Sequence, residues 1–164
     1  MKKFVYGLLI SVMFLTNIYG DGIVADKNET DLICGMKPYK YPRWMSEIEL
    51  INGKKLHFSS VKCMMLFYYK NDKWNDLGVK DPKDKKNRDE NIKVLRVQDY
   101  GNLKVIDAKK AFYVYGSHLM SPKGDDLVPF QYEKDAQNFM KENGGHKVLT
   151  WKHFKLNLFD LLNL

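Results

Sequence analysis

Beyond residue 44 the chain alternates apolar and polar positions and then changes period. Met45 to Ile51 sets Ile48 and Leu50 against Glu47 and Glu49, a period of two that predicts a half-buried strand. Asn52-Gly53 is a tight-hairpin signal, and Lys54 to Phe58 reads as the return strand. Ser59 or Ser60 suits a helix N-cap. Val61, Met64, Met65, Phe67 and Tyr68 continue at helical spacing to about Trp74. Residues 75–90 are charge-rich and read as a solvated loop. Ile92, Val94 and Val97 predict a strand ending near Tyr100-Gly101.

The second half repeats this order. Ala111 to Gly116 predicts a strand, Ser117 to Asp126 a loop, and Leu127 to Phe130 a short apolar run. Glu133 to Asn143 predicts a helix stopped by Gly144-Gly145. Lys147 to Trp151 is a last strand, and 152–164 an amphipathic closing helix. The fold class is therefore α+β: two successive ββαβ units with antiparallel sheet covered on one face by helices, plus a C-terminal helix. The first unit spans 34–100 and the second 101–164. Residues 21–33 read as a flexible polar segment.

Residues 1–20 are set apart. Lys2 and Lys3 precede an apolar run from Phe4 to Leu15, and a more polar exit ends at Gly20. This is the layout of a signal peptide, and the run is short for a membrane span. Export to the periplasm follows as an expectation; an uncleaved segment would instead tether the protein to the membrane. No lipidation cysteine follows the apolar run. An oxidising compartment leaves a Cys34–Cys63 disulfide open.

Composition narrows the field further. The chain is 45% hydrophobic with ten Tyr, nine Phe and three Trp, which excludes a disordered or fibrous protein. Two cysteines exclude a disulfide scaffold and an all-cysteine metal cluster. The net charge is +7, and the first 20 residues hold two Lys and no acid, so the remainder is mildly basic. An exported chain has no access to cytoplasmic nucleic acid. No Gly-rich phosphate loop and no nucleophile elbow is present, and the four His lack zinc-motif spacing. Nothing in these patterns points to an enzyme.

The sulfur atoms are more informative. Met64, Met65 and Met140 lie among aromatics on predicted helices and read as core. On its helix, Cys63 is expected to point partly away from the core centre in a structural role. Cys34-Gly35-Met36 sits in an irregular segment between polar residues and the Pro38…Pro42 stretch. Gly35 permits a turn that aims both sulfurs at one point. A thiolate with a thioether is a soft pair, and soft donors select Cu(I). A third donor would come from Ser117-His118-Leu119-Met120, where His118 and Met120 share the same spacing. The competing reading makes Cys34 a disulfide partner of Cys63 or a small buried hydrophobe.

Several segments match one family in order: Cys34-Gly35-Met36, Tyr41-Pro42-Arg43-Trp44, Gly53-Lys54-Lys55-Leu56, Phe58-Ser59-Ser60, Ile106 to Val114, Gly116-Ser117, Leu127-Val128-Pro129-Phe130, Asp135-Ala136 and Gly144-Gly145. Over about residues 32–150 the chain resembles the NosL family of nitrous oxide reductase accessory proteins. The resemblance implies an extracytoplasmic Cu(I) metallochaperone built from two ββαβ units. It would supply copper for the reductase's centres through a membrane-bound assembly complex. The family's Cys-x-Met falls on Cys34 and Met36. Its usual lipidation cysteine is missing, and its Gly-Pro-Met-Gly loop reads Ser121-Pro122-Lys123-Gly124. Lysine cannot replace a thioether, so Met120 becomes the candidate sulfur, with His118 beside it. A copper-independent adaptor docking through exposed Tyr39, Tyr41 and Trp44 is the alternative. An organomercurial-lyase-type enzyme is suggested by fold alone, and fold does not fix function.

Overall fold

The computed structural model describes residues 22–72, 74–83 and 85–162; the expected signal peptide lies outside them. Strand β1 (Ser46–Leu50) pairs antiparallel with β2 (Lys55–Phe58) through the Asn52-Gly53 hairpin, where Gly53 takes φ +85°. Helix α1 (Val61–Lys70) follows, capped by the Ser60 side chain, which accepts from Cys63 N–H. It ends four residues short of Trp74, where Asn71 turns extended. The acidic–basic run expected as loop contains a short helix, α2 (Lys85–Glu90). Its residues are mostly good helix formers. Arg88 lies over the Tyr68 ring at 4.4 Å and the Tyr68 hydroxyl donates to Asp89 at 2.7 Å, so α1 holds the short helix in place.

Strand β3 (Ile92–Gln98) pairs with β1, and β4 (Val105–Asp107) pairs with β3. The first sheet thus runs β2-β1-β3-β4 and continues past residue 100 into the stretch read as the second unit. In that second unit β5 (Phe112–Tyr115) is flanked by β6 (Leu127–Phe130) and β7 (Lys147–Thr150), giving the order β6-β5-β7. Helix α3 (Glu133–Glu142) lies between β6 and β7 in sequence. The closing helix is shorter than expected: a 3-10 turn at Trp151–His153, then α4 (Leu156–Leu161). Two ββαβ units with a terminal helix are therefore present, with β4 as an addition.

The two sheets share one core. Ile48, Leu50 and Phe58 of the first sheet pack with α1, with Tyr113, Leu127 and Leu149 of the second, and with Phe159 of α4. The other face of the second sheet, Val114, Val128 and Phe130, closes under Ala136 of α3. That sheet is therefore covered on both faces rather than one. Every residue of β1 is buried although its sequence alternates. Its acidic face is covered because residues 22–36 lie across it as a strap. Ile23 N–H donates to Gln98 Oε1 at 2.7 Å, and Ile23 and Ala25 pack with Met45 and Tyr39. The segment that composition marks as flexible is pinned at both ends. Among the described residues no helix is long and apolar enough to cross a membrane.

Candidate metal centre

The strap leads into the Cys-Gly-Met loop, and one carboxylate shapes it. Asp31 Oδ1 accepts from Ile33 N–H at 2.8 Å and from Cys34 N–H at 3.2 Å. Its Oδ2 accepts from Ser59 N–H at 2.7 Å and from the Ser59 hydroxyl at 2.9 Å. The backbone closes around it: Gly35 N–H donates to Asp31 C=O, and Asp31 N–H to Met36 C=O, both at 2.9 Å. Gly35 sits at φ +74°, a left-handed conformation that favours glycine. Asp31 is buried, Cys34 and Met36 half-buried, and Leu32 and Ile33 exposed.

Two thiols meet here. Cys34 Sγ lies 3.0 Å from Ser59 Oγ. That hydroxyl gives its proton to Asp31, so the Cys34 thiol is the donor. Cys63 Sγ lies 3.9 Å from the same oxygen. The donor atoms of Asp31, Cys34 and Cys63 all fall within 4.8 Å of one another, and both cysteines are free. Cys63 does not point away from the core as expected. It is fully buried, because α1 enters directly from the Ser59-Ser60 cap and its first turn faces the loop. Burial pushes the Cys63 thiol pKa well up, and the nearby Asp31 charge adds to the shift.

The second candidate loop is anchored to the same helix. Asp126 Oδ1 accepts from Lys62 N–H at 2.9 Å, and the buried Lys62 ammonium donates to Lys123 C=O at 2.6 Å. Ser121 and Gly124 bridge each other around Pro122-Lys123. His118 is exposed; its N–H donates to Asn143 C=O at 2.9 Å and its ring lies over Gly144. Met120 is 63% exposed. His118 is thus outside the cluster that gathers Asp31 and Cys63 around Cys34. The aromatics expected on the surface are partly covered: Trp44 sits edge-on to Tyr100 at 5.4 Å, and Tyr39 packs under the strap.

Sequence reasoning missed Asp31 and Ser59, and it discounted Cys63. A signal was present in Asp31-Leu32-Ile33-Cys34-Gly35, where an Asp precedes a turn closed by Gly, the pattern of an Asx turn.

Beside the loop, His57 ties the strap to the sheet. Its Nδ1 lies 2.7 Å from Glu29 and its Nε2 3.0 Å from Glu47, and Arg96 bridges Glu47 and Glu49. Burial alone would lower the His57 pKa, but the hydrogen bonds to Glu47 and Glu29 outweigh it and raise it above 6.5. A raised histidine stabilises fully below its unfolded pKa of about 6.5 and loses that contribution as pH rises through the folded value. His57→Gln is therefore expected to lower stability at about pH 6 and to flatten the loss of stability as pH rises above about 6.5. Urea unfolding of both proteins from about pH 6 to about pH 9 checks it; parallel profiles would contradict the assignment.

The model of the NosL family matches residues 23–158. No curated protein matches the chain. Among solved structures, the copper chaperone NosL from Shewanella denitrificans is similar at a TM-score of 0.64 and 20% identity, covering 84% of this chain and 98% of that one. The apo-NosL protein from Achromobacter cycloclastes aligns at a TM-score of 0.44 and 24% identity, covering 73% and 88%. With the family model spanning the strap, the cysteine loop, both sheets and part of α4, this chain belongs to the NosL family.

Proposed function

We propose that the protein is an extracytoplasmic Cu(I) metallochaperone acting by ligand exchange rather than catalysis. The observation that carries this reading is the half-buried Cys34 thiol, held in a loop whose backbone Asp31 closes from Cys34 to Met36. Membership of a family that includes a protein described as a copper chaperone supports it. A soft thiolate and a soft thioether suit Cu(I) far better than a hard cation. Copper is cargo here. It enters at the Cys34–Met36 edge, with the Met120 thioether or the His118 imidazole as a further donor. An acceptor's own soft ligands then displace these donors one at a time. Thioethers bind without losing a proton and release readily, while the thiolate makes affinity pH-dependent.

The acceptor in this reading is a membrane-bound assembly complex that feeds copper to nitrous oxide reductase. The protein works outside the cytoplasm, exported by its N-terminal segment. The adaptor reading has less to stand on, since Trp44 and Tyr39, two of its aromatic anchors, are packed against neighbours.

Anaerobic titration with Cu(I) against a chromogenic chelator tests the proposal. Cys34→Ala is expected to lose most of the affinity and Lys123→Ala none, because the Lys123 contact that matters is its carbonyl. Tight binding by Cys34→Ala would sink the assignment.

A further inference from the structure

We infer that Cys63 is a second thiolate ligand, so that Cu(I) is carried between Cys34 and Cys63 rather than at the loop surface alone. The inference rests on the copper reading above and adds a donor to its site.

The cluster offers three donor groups, and one is already spent. Each Asp31 oxygen accepts two hydrogen bonds from the protein, between 2.7 and 3.2 Å. A carboxylate has about four lone-pair sites, so Asp31 is saturated, and its hard oxygens suit Cu(I) poorly. It is a positioning residue. What it positions is the Cys34 sulfur, through the Cys34 N–H and through Ser59.

The two sulfurs remain, and their separation is informative. They lie within 4.8 Å of each other. Metal–thiolate bonds of about 2.3 Å placed back to back span about 4.6 Å. Both sulfurs therefore lie within the span of one bridging ion, whereas a disulfide would have to draw them to about 2.05 Å. Cys63 lies in the first turn of α1, which runs for ten residues behind the Ser60 cap. A helix N-terminus stabilises negative charge. Two thiolates and one Cu(I) add a single negative charge beside the Asp31 carboxylate, whose own charge is spread over four hydrogen bonds.

Burial gives the pair a direction. Cys34 is half-buried and Cys63 fully buried. Copper arriving at the Cys34–Met36 edge passes inward to the Cys34–Cys63 position, where water and chelators reach it less easily. Return to the edge exposes it to an acceptor. Cys34 stays bound throughout, so the ion is never released free.

The experiment uses the reduced full-length chain, with Cu(I) alone as the probe. Affinity is read by chelator competition, and the protons released per copper by a weakly buffered indicator, since each thiol must deprotonate to ligate. Cys63→Ala and the near-isosteric Cys63→Ser are compared with the unsubstituted protein after far-UV circular dichroism confirms folding. The expected result is an affinity loss of at least about tenfold in both variants and one proton fewer per copper. Unchanged affinity and proton count in folded variants would overturn the inference and leave the Cys34–Met36 site standing. If neither variant folds, the unsubstituted protein decides: a proton for each thiol supports the pair, and a proton for one thiol overturns it. Failure of the unsubstituted protein to bind Cu(I) would overturn the copper reading itself.

Discussion

Asp31→Ala is expected to lower stability by roughly 3 kcal/mol and Tm by roughly 10 °C. Charge-assisted hydrogen bonds contribute about 1.5–3 kcal/mol each, and a buried donor left dry costs its desolvation as well. Asp31 accepts four such bonds. The Ile33 and Cys34 N–H groups lie near the surface and can turn to water. The Ser59 N–H and hydroxyl are buried and cannot, so those two set the size of the loss. Copper affinity should fall together with stability, because the same carboxylate holds the Cys34 backbone and orients the Ser59 hydroxyl that meets its sulfur. Asp31→Asn should fall between the two proteins. Its amide retains an accepting oxygen but turns an NH2 toward groups that also donate. Urea unfolding and Cu(I) titration, at a temperature where the variants remain folded, check both effects. An alanine variant with unchanged stability would mean that the loop is held by the strap's other contacts.

The elements with an undisturbed period were legible in the sequence, and those fixed by distant partners were not. Ile48 and Leu50 against Glu47 and Glu49 mark β1, and Val61 through Tyr68 marks α1, because one face of each enters the core. The same alternation mispredicted the exposure of Glu47 and Glu49. Their face is covered by a strap whose attachment, through His57 and Gln98, joins residues 28 and 75 positions apart. Helix α2 has no apolar face for periodicity to detect; Tyr68 of α1 holds it from outside by meeting its Arg88 and Asp89. Of the candidate cluster, Cys34 was legible because soft donors flanking a glycine, as Cys34 and Met36 do, are unusual in an irregular segment. Asp31 was hidden because a carboxylate serving backbone N–H groups looks like any surface acid until the turn is built. Cys63 was hidden for a different reason. Its helical position suggested a side chain turned partly away from the core centre, whereas it is fully buried: the loop that faces it comes from the other side of β1 and β2, and spacing along the chain carries no trace of that approach.

Phe58→Ala separates the core from the site. Phe58 is fully buried at the end of β2, its ring 5.3 Å from that of Phe67, which lies 5.2 Å from Trp74. Truncating a buried phenylalanine removes its transfer energy and leaves a cavity, a loss of about 3–5 kcal/mol. The backbone at this position should persist, because Phe58 pairs with Ser46 in the β1–β2 ladder and the neighbouring Ser59 is held by Asp31. Cu(I) affinity measured well below the lowered Tm should therefore change little. Phe58→Leu refills most of the space and should lose much less stability. Urea unfolding of Phe58→Ala beside Asp31→Ala makes the contrast quantitative. Comparable losses of stability, with copper affinity lost in the Asp31 variant alone, are the expected pattern. A parallel loss of affinity in Phe58→Ala would place the cysteine loop under the control of core packing, because Ser59 would then have moved with the cavity and carried the Cys34 sulfur out of reach of Cys63.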